Sequence, residues 1–360
     1  MAEPVRTPRV LVVGAGGIGG IVTATLREHD PSIIGEVVAL TTNVEIARAT
    51  EDQGFRLTGE GGDRVVAGRA VTALEPGSKF EWILLCTQPP QVEAAARSAL
   101  PHLAEGGAMV CFQNGLCETR VARVLEDAGV PSRGRVVGAV VAWGAAMPEP
   151  GLYERTSAGG FTIGLPGGEV DPRLEQLALL LEAIGPVVIS KNLLGARWSK
   201  LAINCAISTI GTLAGVRLGS VLIHRFARRL ALDLMTEAVA VARAEKVRLE
   251  KVSGTLDLDW IALTDTERRA AGSPGLIAKH AMLLAVGARY RKMRSSMLTA
   301  IERGRPPAVD FLNGEVVSHA ARHGIETPFN AEAQRLVHAI ARKELPPAMS
   351  TLRRLADPST

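Results

Sequence analysis

Short apolar runs alternate with amphipathic stretches through the first half of the chain. RVLVVGAGGIGGIVTATLREHD (9–30) predicts a buried strand, a glycine turn and an amphipathic helix. EVVALTT (36–42), EWILLCTQ (81–88) and AMVCFQNG (108–115) read as further buried strands, and RVVAGRAVTAL (64–74) as a peripheral one. QVEAAARSALPHL (91–103) and TRVARVLEDAG (119–129) carry apolar residues at helical spacing, while VVGAVVAWGAA (136–146) and GGFTIGLPGG (159–168) close this half as strands. Strands separated by helices at this spacing imply a mostly parallel sheet wound on both faces.

Beyond about residue 170 the period becomes helical. LEQLALLLEAIG (174–185) is followed by long helical segments at 194–215, 220–247, 275–302, 307–323 and 330–343, and only GPVVIS (185–190) reads as strand. SGTLDLDWIALTDTERRAAGSPG (253–275) is richer in polar and turn residues and reads as an insertion between helices or a lid. The tail ADPST (356–360) reads as disordered. The expected architecture is an α/β N-terminal Rossmann-like doubly wound sheet plus an all-α C-terminal domain. The dinucleotide-binding domain spans 1–190 and the helical substrate and catalytic domain 191–355; 360 residues exceed a usual single core.

Charge and cysteine content narrow the function classes. The 41 Lys+Arg against 37 Asp+Glu give a formal charge of +4, with RFARR (225–229) as the densest basic run, so no nucleic-acid partner is expected. Cys86, Cys111, Cys117 and Cys205 form no C-x-x-C pair and have no histidine cluster beside them, which predicts neither a metal site nor a disulfide framework. MAEPVRTPR has no apolar signal core, and GAVVAWGAAM (138–147) is too short to span a bilayer. A cytoplasmic protein without a membrane partner is the expectation. The long apolar helices of the second half allow a homodimer.

VLVVGAGGIGG places Gly14, Gly16 and Gly19 in a G-x-G-x-x-G pattern, with Ala15, Gly17 and Ile18 between them. A strand before it and a helix after it are the context in which this pattern binds a dinucleotide. The glycines allow a tight turn and close backbone approach, and the helix N-terminus offers free N–H groups to a pyrophosphate. Thr41, Thr42 and Asn43 stand at the tip of the second strand, where an acid favours NAD and an arginine NADP. They are neither, so the cofactor is NADP or NAD with the choice open.

In WSKLAINCA (198–206) the polar residues Lys200 and Asn204, continued by Ser208, step by four and form one narrow stripe on an otherwise apolar helix. A charge on such a helix is paired, faces a wet cavity, or reaches solvent from a buried stem.

GAGGIGG, FQNG (112–115), WSKLAIN (198–204), RSSML (294–298) and DFLNGEVV…GIETPFN (310–330), in this order, give the chain a resemblance to the ketopantoate reductase (2-dehydropantoate 2-reductase) family of pantothenate biosynthesis. The resemblance implies hydride transfer from NAD(P)H to the carbonyl of a small 2-oxo acid. It implies Lys200 as general acid and Asn204 as the residue that orients lysine or substrate. It further implies Asn114 near nicotinamide and substrate, and Ser296, with Ser208, on the substrate. The chain departs from the family pattern at four places. Ala308 stands for a substrate-binding glutamate, Ser208 for an asparagine, Asn43 for the arginine that reads the 2′-phosphate, and Gln88 for a lysine. The two lost basic positions predict weak cofactor discrimination or a tilt to NADH. The lost carboxylate keeps open a different carbonyl or imine substrate on the same scaffold, or a non-catalytic NAD(P)H-sensing protein.

Overall fold

A computed structural model describes residues 7–251, 257–269 and 272–356. The chain forms two compact units, Met1–Gln113 with Cys117–Leu193, and Asn114–Leu116 with Leu194–Thr360.

The first unit runs β1 (Val10–Val13), α1 (Gly17–Arg27), β2 (Val37–Leu40), α2 (Val44–Gln53), β3 (Phe55–Gly59), β4 (Arg64–Val66), β5 (Ala70–Val71) and β6 (Phe80–Leu85). It continues through α3 (Val92–Ala99), β7 (Leu103–Cys111), α4 (Glu118–Asp127), β8 (Val136–Val141), β9 (Ala145–Glu149), β10 (Leu152–Arg155), β11 (Phe161–Gly164), α5 (Arg173–Glu182) and β12 (Val187–Ile189). The main sheet has the order β12-β11-β8-β7-β6-β1-β2-β5, and its neighbours are parallel except β8 and β11. Continuous apolar runs suit strands covered on both faces: β1, β6 and β8 are buried almost throughout. Chain order reverses between β1 and β6, the switch point at which ligands bind in open α/β sheets. A second sheet, β4-β3-β10-β9, was not anticipated beyond the strand character of 64–74 and 136–146. Its strands are short and mixed in polarity, so they carry little periodic signal.

The second unit begins with α6 (Leu193–Ala214) and α7 (Leu218–Leu222), then α8 (Arg225–Ala244), α9 (Leu258–Ile261) and α10 (Asp265–Arg269). α11 (Pro274–Arg289), α12 (Ser296–Glu302), a 3₁₀ turn (Ala308–Phe311), α13 (Asn313–Arg322), α14 (Pro328–Ala341) and α15 (Met349–Leu355) follow. The single helices expected over 220–247 and 275–302 are each two. Arg217, His224 and Ser295 take extended backbone before α7, α8 and α12, and the Ser295 hydroxyl accepts from Leu298 N–H, starting a new helix where apolar periodicity runs on.

The described part of 253–275 forms α9 and α10 between α8 and α11; residues 252–256 and 270–271 lie outside the described residues, as do 357–360 of the tail. Leu258, Ile261, Ala262 and Leu263 belong to the helical core. Lys279 on α11 donates 2.5 Å to Glu267 and 2.8 Å to the Ala262 carbonyl. Both ionised groups are buried, and their mutual pairing offsets the desolvation that each would otherwise suffer.

Candidate functional site

Backbone geometry builds the glycine loop. Gly14 takes φ +100°, and a Cβ there would lie 3.0 Å from Thr87, on the segment that follows β6. A Cβ on Gly19 would overlap the Gly14 carbonyl oxygen, so α1 can approach β1 this closely only with glycine at that position. Gly16, the residue before α1, meets nothing within 4 Å. The first turn of α1 holds no acid and receives no side-chain cap, and its positive end faces the open side of Gly16. Of the intervening residues, Ala15 is buried, while Gly17 and Ile18 are half-buried. A Cβ on Gly17 would press on the Ala145–Ala146 backbone of β9, so the second sheet backs the loop. These features fit a dinucleotide pyrophosphate: donors, a positive helix end and space without a side chain.

Two residues outside the motif brace this loop. The Tyr153 hydroxyl on β10 donates to the Ala15 carbonyl at 3.3 Å, and its ring occupies the space that a Cβ on Gly20 would need. Gln113 donates through Nε2 to the Leu85 carbonyl and to Thr87 Oγ1, tying the ends of β6 and β7 together. Tyr153 lies in no motif, whereas Gln113 belongs to FQNG (112–115), of which only Asn114 is assigned a role from the sequence.

At the tip of β2, Asn43 has a structural task. Its Oδ1 accepts from Glu45 and Ile46 N–H and caps α2, a contribution of about 1 kcal/mol. Thr41 is buried and its hydroxyl accepts from Asn43 N–H, whereas Thr42 is exposed. Gln88 is exposed at the start of a 3₁₀ turn, Pro89–Gln91.

In the helical unit, α6 buries Trp198, Leu201, Ala202, Cys205 and Ala206 and leaves Lys200, Ile203, Asn204, Ile207 and Ser208 half-buried. The polar stripe therefore lies on the more open face. Burial of the charge, and next the positive charge of Arg197 one turn earlier, bring Lys200 down from the usual lysine range to about 7. The Asn204 Nδ2 group is buried with no hydrogen-bond partner, an uncommon state for a buried donor. Ser295 Oγ donates to the Ser208 carbonyl at 2.9 Å, which brings the end of the stripe to the start of α12. There Ser296 is exposed as the first residue of the helix, while Ser295 is its cap. Asn114 is half-buried in a turn set against the 3₁₀ turn that carries Ala308: a Cβ on Gly115 would overlap the Phe311 carbonyl oxygen. Asp310 accepts from Gln334 Nε2 and pairs with His338 Nε2, both at 2.7 Å, so this acid two residues from Ala308 is engaged elsewhere.

A buried polar relay fixes α6 from behind. Asn313 donates to the Cys205 carbonyl and to Asn330 Oδ1, and accepts from Thr209 Oγ1 at 2.6 Å. Asn330 in turn donates to Glu237 Oε2 and to the Leu234 carbonyl. Every link pairs a buried donor with an acceptor, so the relay holds α6, α8, α13 and α14 in one register.

Two family models cover the chain. The one described as "Ketopantoate reductase PanE/ApbA" matches residues 10–168, and "Ketopantoate reductase PanE/ApbA C terminal" matches residues 192–341. A protein of Pyrococcus horikoshii named 2-dehydropantoate 2-reductase is 24% identical over 332 residues, 92% of this chain and 97% of that one. The crystal structure of a PanE/ApbA family ketopantoate reductase from Ralstonia eutropha JMP134 superposes with TM-score 0.73 at 24% identity, covering 93% of this chain and 99% of that one. D-mandelate dehydrogenase, solved with NADH and anilino(oxo)acetate, shares the fold with TM-score 0.76 at 17% identity over 93% of this chain and 98% of its own. Both halves matched in order, over a Rossmann-type sheet and a helical unit, make the chain a member of the ketopantoate reductase family and an NAD(P)-dependent oxidoreductase.

Proposed function

We propose that the chain reduces a small 2-oxo acid, with ketopantoate as the specific substrate, to the 2-hydroxy acid at the expense of NAD(P)H. The observation that carries this reading is the α6 face, where Lys200 and the unpartnered amide of Asn204 stand one helical turn apart. The α1 N-terminus and the open side of Gly16 hold the pyrophosphate. When bound, the dihydronicotinamide supplies a hydride to the substrate carbonyl carbon. Lys200 Nζ then gives a proton to the oxygen on which negative charge develops. A donor with a pKa near 7 is half-protonated at neutral pH and transfers readily, which is the compromise general acid catalysis favours. Asn204 Nδ2 donates to the same oxygen or to the carboxylate. Ser296, exposed at the start of α12, and Asn114 complete the polar contacts, with Ser208 at the far end of the stripe.

Ala308 favours a second reading, in which the scaffold reduces another carbonyl or an imine. A methyl group cannot replace a carboxylate, and Asp310 is held by Gln334 and His338. On the cofactor, none of Thr41, Thr42, Asn43 and Gln88 is basic, and Asn43 Oδ1 is committed to capping α2, so weak discrimination or a tilt to NADH follows. Steady-state rates on a panel of 2-oxo acids, each with NADH and NADPH, test both points. The reading expects ketopantoate among the best substrates; its poor turnover beside efficient turnover of another carbonyl would establish the second. A hundredfold preference for NADPH would overturn the cofactor assignment.

A further inference from the structure

Asn204 Nδ2 is buried without a hydrogen-bond partner among the described residues, so no bond of its own fixes where it points. Its aim follows from the rotation of the α6 turn that carries it. Packing around that turn is largely aliphatic, with Leu201, Ala202, Ala206 and Ile210 buried. Apolar contact is non-directional, so directional hydrogen bonds decide the rotation. One side chain supplies them at both ends of the turn. Asn313, fully buried as the first residue of α13, donates through Nδ2 to the Cys205 carbonyl at 3.1 Å. Its Oδ1 accepts from Thr209 Oγ1 at 2.6 Å. Cys205 and Thr209 are the chain neighbours of Asn204 and Ser208. A carbonyl has two lone pairs, so the Cys205 oxygen can accept from Asn313 as well as from the helix.

The polarity of this grip is set from α8. The Glu237 carboxylate accepts from Phe329 N–H, Asn330 N–H and Asn330 Nδ2. Asn330 Nδ2 also donates to the Leu234 carbonyl, which turns its Oδ1 towards Asn313. Asn313 must meet that oxygen with Nδ2, and its Oδ1 is left for the Thr209 hydroxyl. Both amides are therefore held in one orientation. Aspartate at 313 would lack the donor, and leucine would lack both groups.

We propose that Asn313 is a positioning residue for the reaction, holding the Cys205–Thr209 turn at the rotation that points the Asn204 amide at the substrate. The assignment rests on the reading of Asn204 as a substrate contact. Side chains end about 5–6 Å from a helix axis, so a rotation of about 10° moves the amide by about 1 Å, a misplacement that can cost about 10²-fold in rate. Lys200 has a separate tie, because Ser199 beside it accepts from Glu250 N–H at 3.0 Å. Loss of the Asn313 grip should therefore misdirect Asn204 and leave the proton donor in place.

Asn313→Ala should lower kcat by about 10²-fold, with NAD(P)H affinity within about twofold of the parent chain. The fall of kcat through about pH 7 should keep its position, since Lys200 is not displaced. In an Asn204→Ala background the same change should cost less than about threefold, because the group it aims is gone, whereas a merely structural loss would multiply in full. Thr209→Val removes only the hydroxyl and serves where Asn313→Ala does not fold. It should lower kcat about two- to tenfold, and Thr209→Ser should recover the loss. Equal losses from Asn313→Ala in the parent chain and in Asn204→Ala overturn the proposal, as does full kcat in Thr209→Val. A parent chain that reduces no 2-oxo acid would instead overturn the proposed reaction, and a crystal structure of Thr209→Val then decides the aim of Asn204. An Asn204 amide shifted by about 1 Å supports the proposal, and an unmoved one overturns it.

Discussion

On the proposed reading, the glycine loop of the first unit and the α6 stripe of the second contribute in different ways. The loop acts through its backbone: Gly14, Gly16 and Gly19 contribute what they lack, and no group there has to change its charge. The stripe acts through side chains, and its chief feature is a lysine brought to about 7 by burial and by Arg197. The loop therefore tolerates pH and fails on volume, whereas the stripe tolerates small changes of volume and fails on charge.

The largest effect is expected at Lys200. Lys200→Ala should lower kcat by about 10²–10⁴-fold, the range for loss of a positioned proton donor, with dinucleotide affinity nearly unchanged. Proton donation needs the charged form, so kcat of the parent chain should fall as pH rises through about 7, while cofactor affinity stays flat. Stability moves the opposite way. The folded state holds the Lys200 proton less tightly than the unfolded chain, which titrates near the ordinary 10.5, so stability from this group is greatest above that value and is lost as pH falls towards about 7. A kcat that stays level from pH 6 to 9 would remove Lys200 from the proton-transfer step.

The loop is tested by adding one carbon. Gly19→Ala puts a methyl group onto the Gly14 carbonyl oxygen, and the forced separation of α1 from β1 should cost about 1–3 kcal/mol in thermal or urea unfolding, with loss of dinucleotide binding. Gly16→Ala is the informative contrast, because its methyl group meets nothing within 4 Å at an ordinary φ of −78°. Stability should fall by no more than about 1 kcal/mol, the loss of a glycine cap, while NAD(P)H affinity, read by fluorescence titration, falls tenfold or more. Unchanged affinity in Gly16→Ala would mean that the pyrophosphate does not lie against this turn.

What the sequence revealed follows the same division. The main sheet, the glycine loop and α6 were legible because each is a local pattern: apolar runs, a motif between strand and helix, and a four-residue step. The β3–β4 and β9–β10 pairs are not, since these short strands of mixed polarity carry little periodic signal, and the two pairs join into one sheet only through β3 and β10, where Tyr153 lies opposite Leu57 about a hundred residues away. The breaks at His224 and Ser295 leave no glycine or proline signal in the sequence and are set by extended backbone at those residues. Asn313, Asn330 and Glu237 looked like ordinary polar residues of amphipathic helices, and only their convergence in space shows a relay. Asn43 shows the reverse case: its place at the tip of β2 points to the cofactor, while its side chain caps α2.

The smallest effect, and the sharpest probe of the comparison, is expected at Tyr153. This residue touches the loop through one long hydrogen bond to the Ala15 carbonyl and through a ring that fills the space beside Gly20. Tyr153→Phe keeps the ring and removes the bond, so packing and fold should be preserved. A neutral hydrogen bond contributes about 0.5–1.5 kcal/mol, which translates into a KM for NAD(P)H raised about two- to tenfold if the bond holds the loop in its binding shape. If the loop binds and the stripe reacts, as proposed, kcat at saturating cofactor and its pH profile should remain those of the parent chain. Tyr153→Leu, which also loses the flat ring against Gly20, should lower thermal stability as well. A Tyr153→Phe variant that lost kcat but kept its cofactor KM would show that loop geometry reaches the chemical step, and the separation of the two regions would fail.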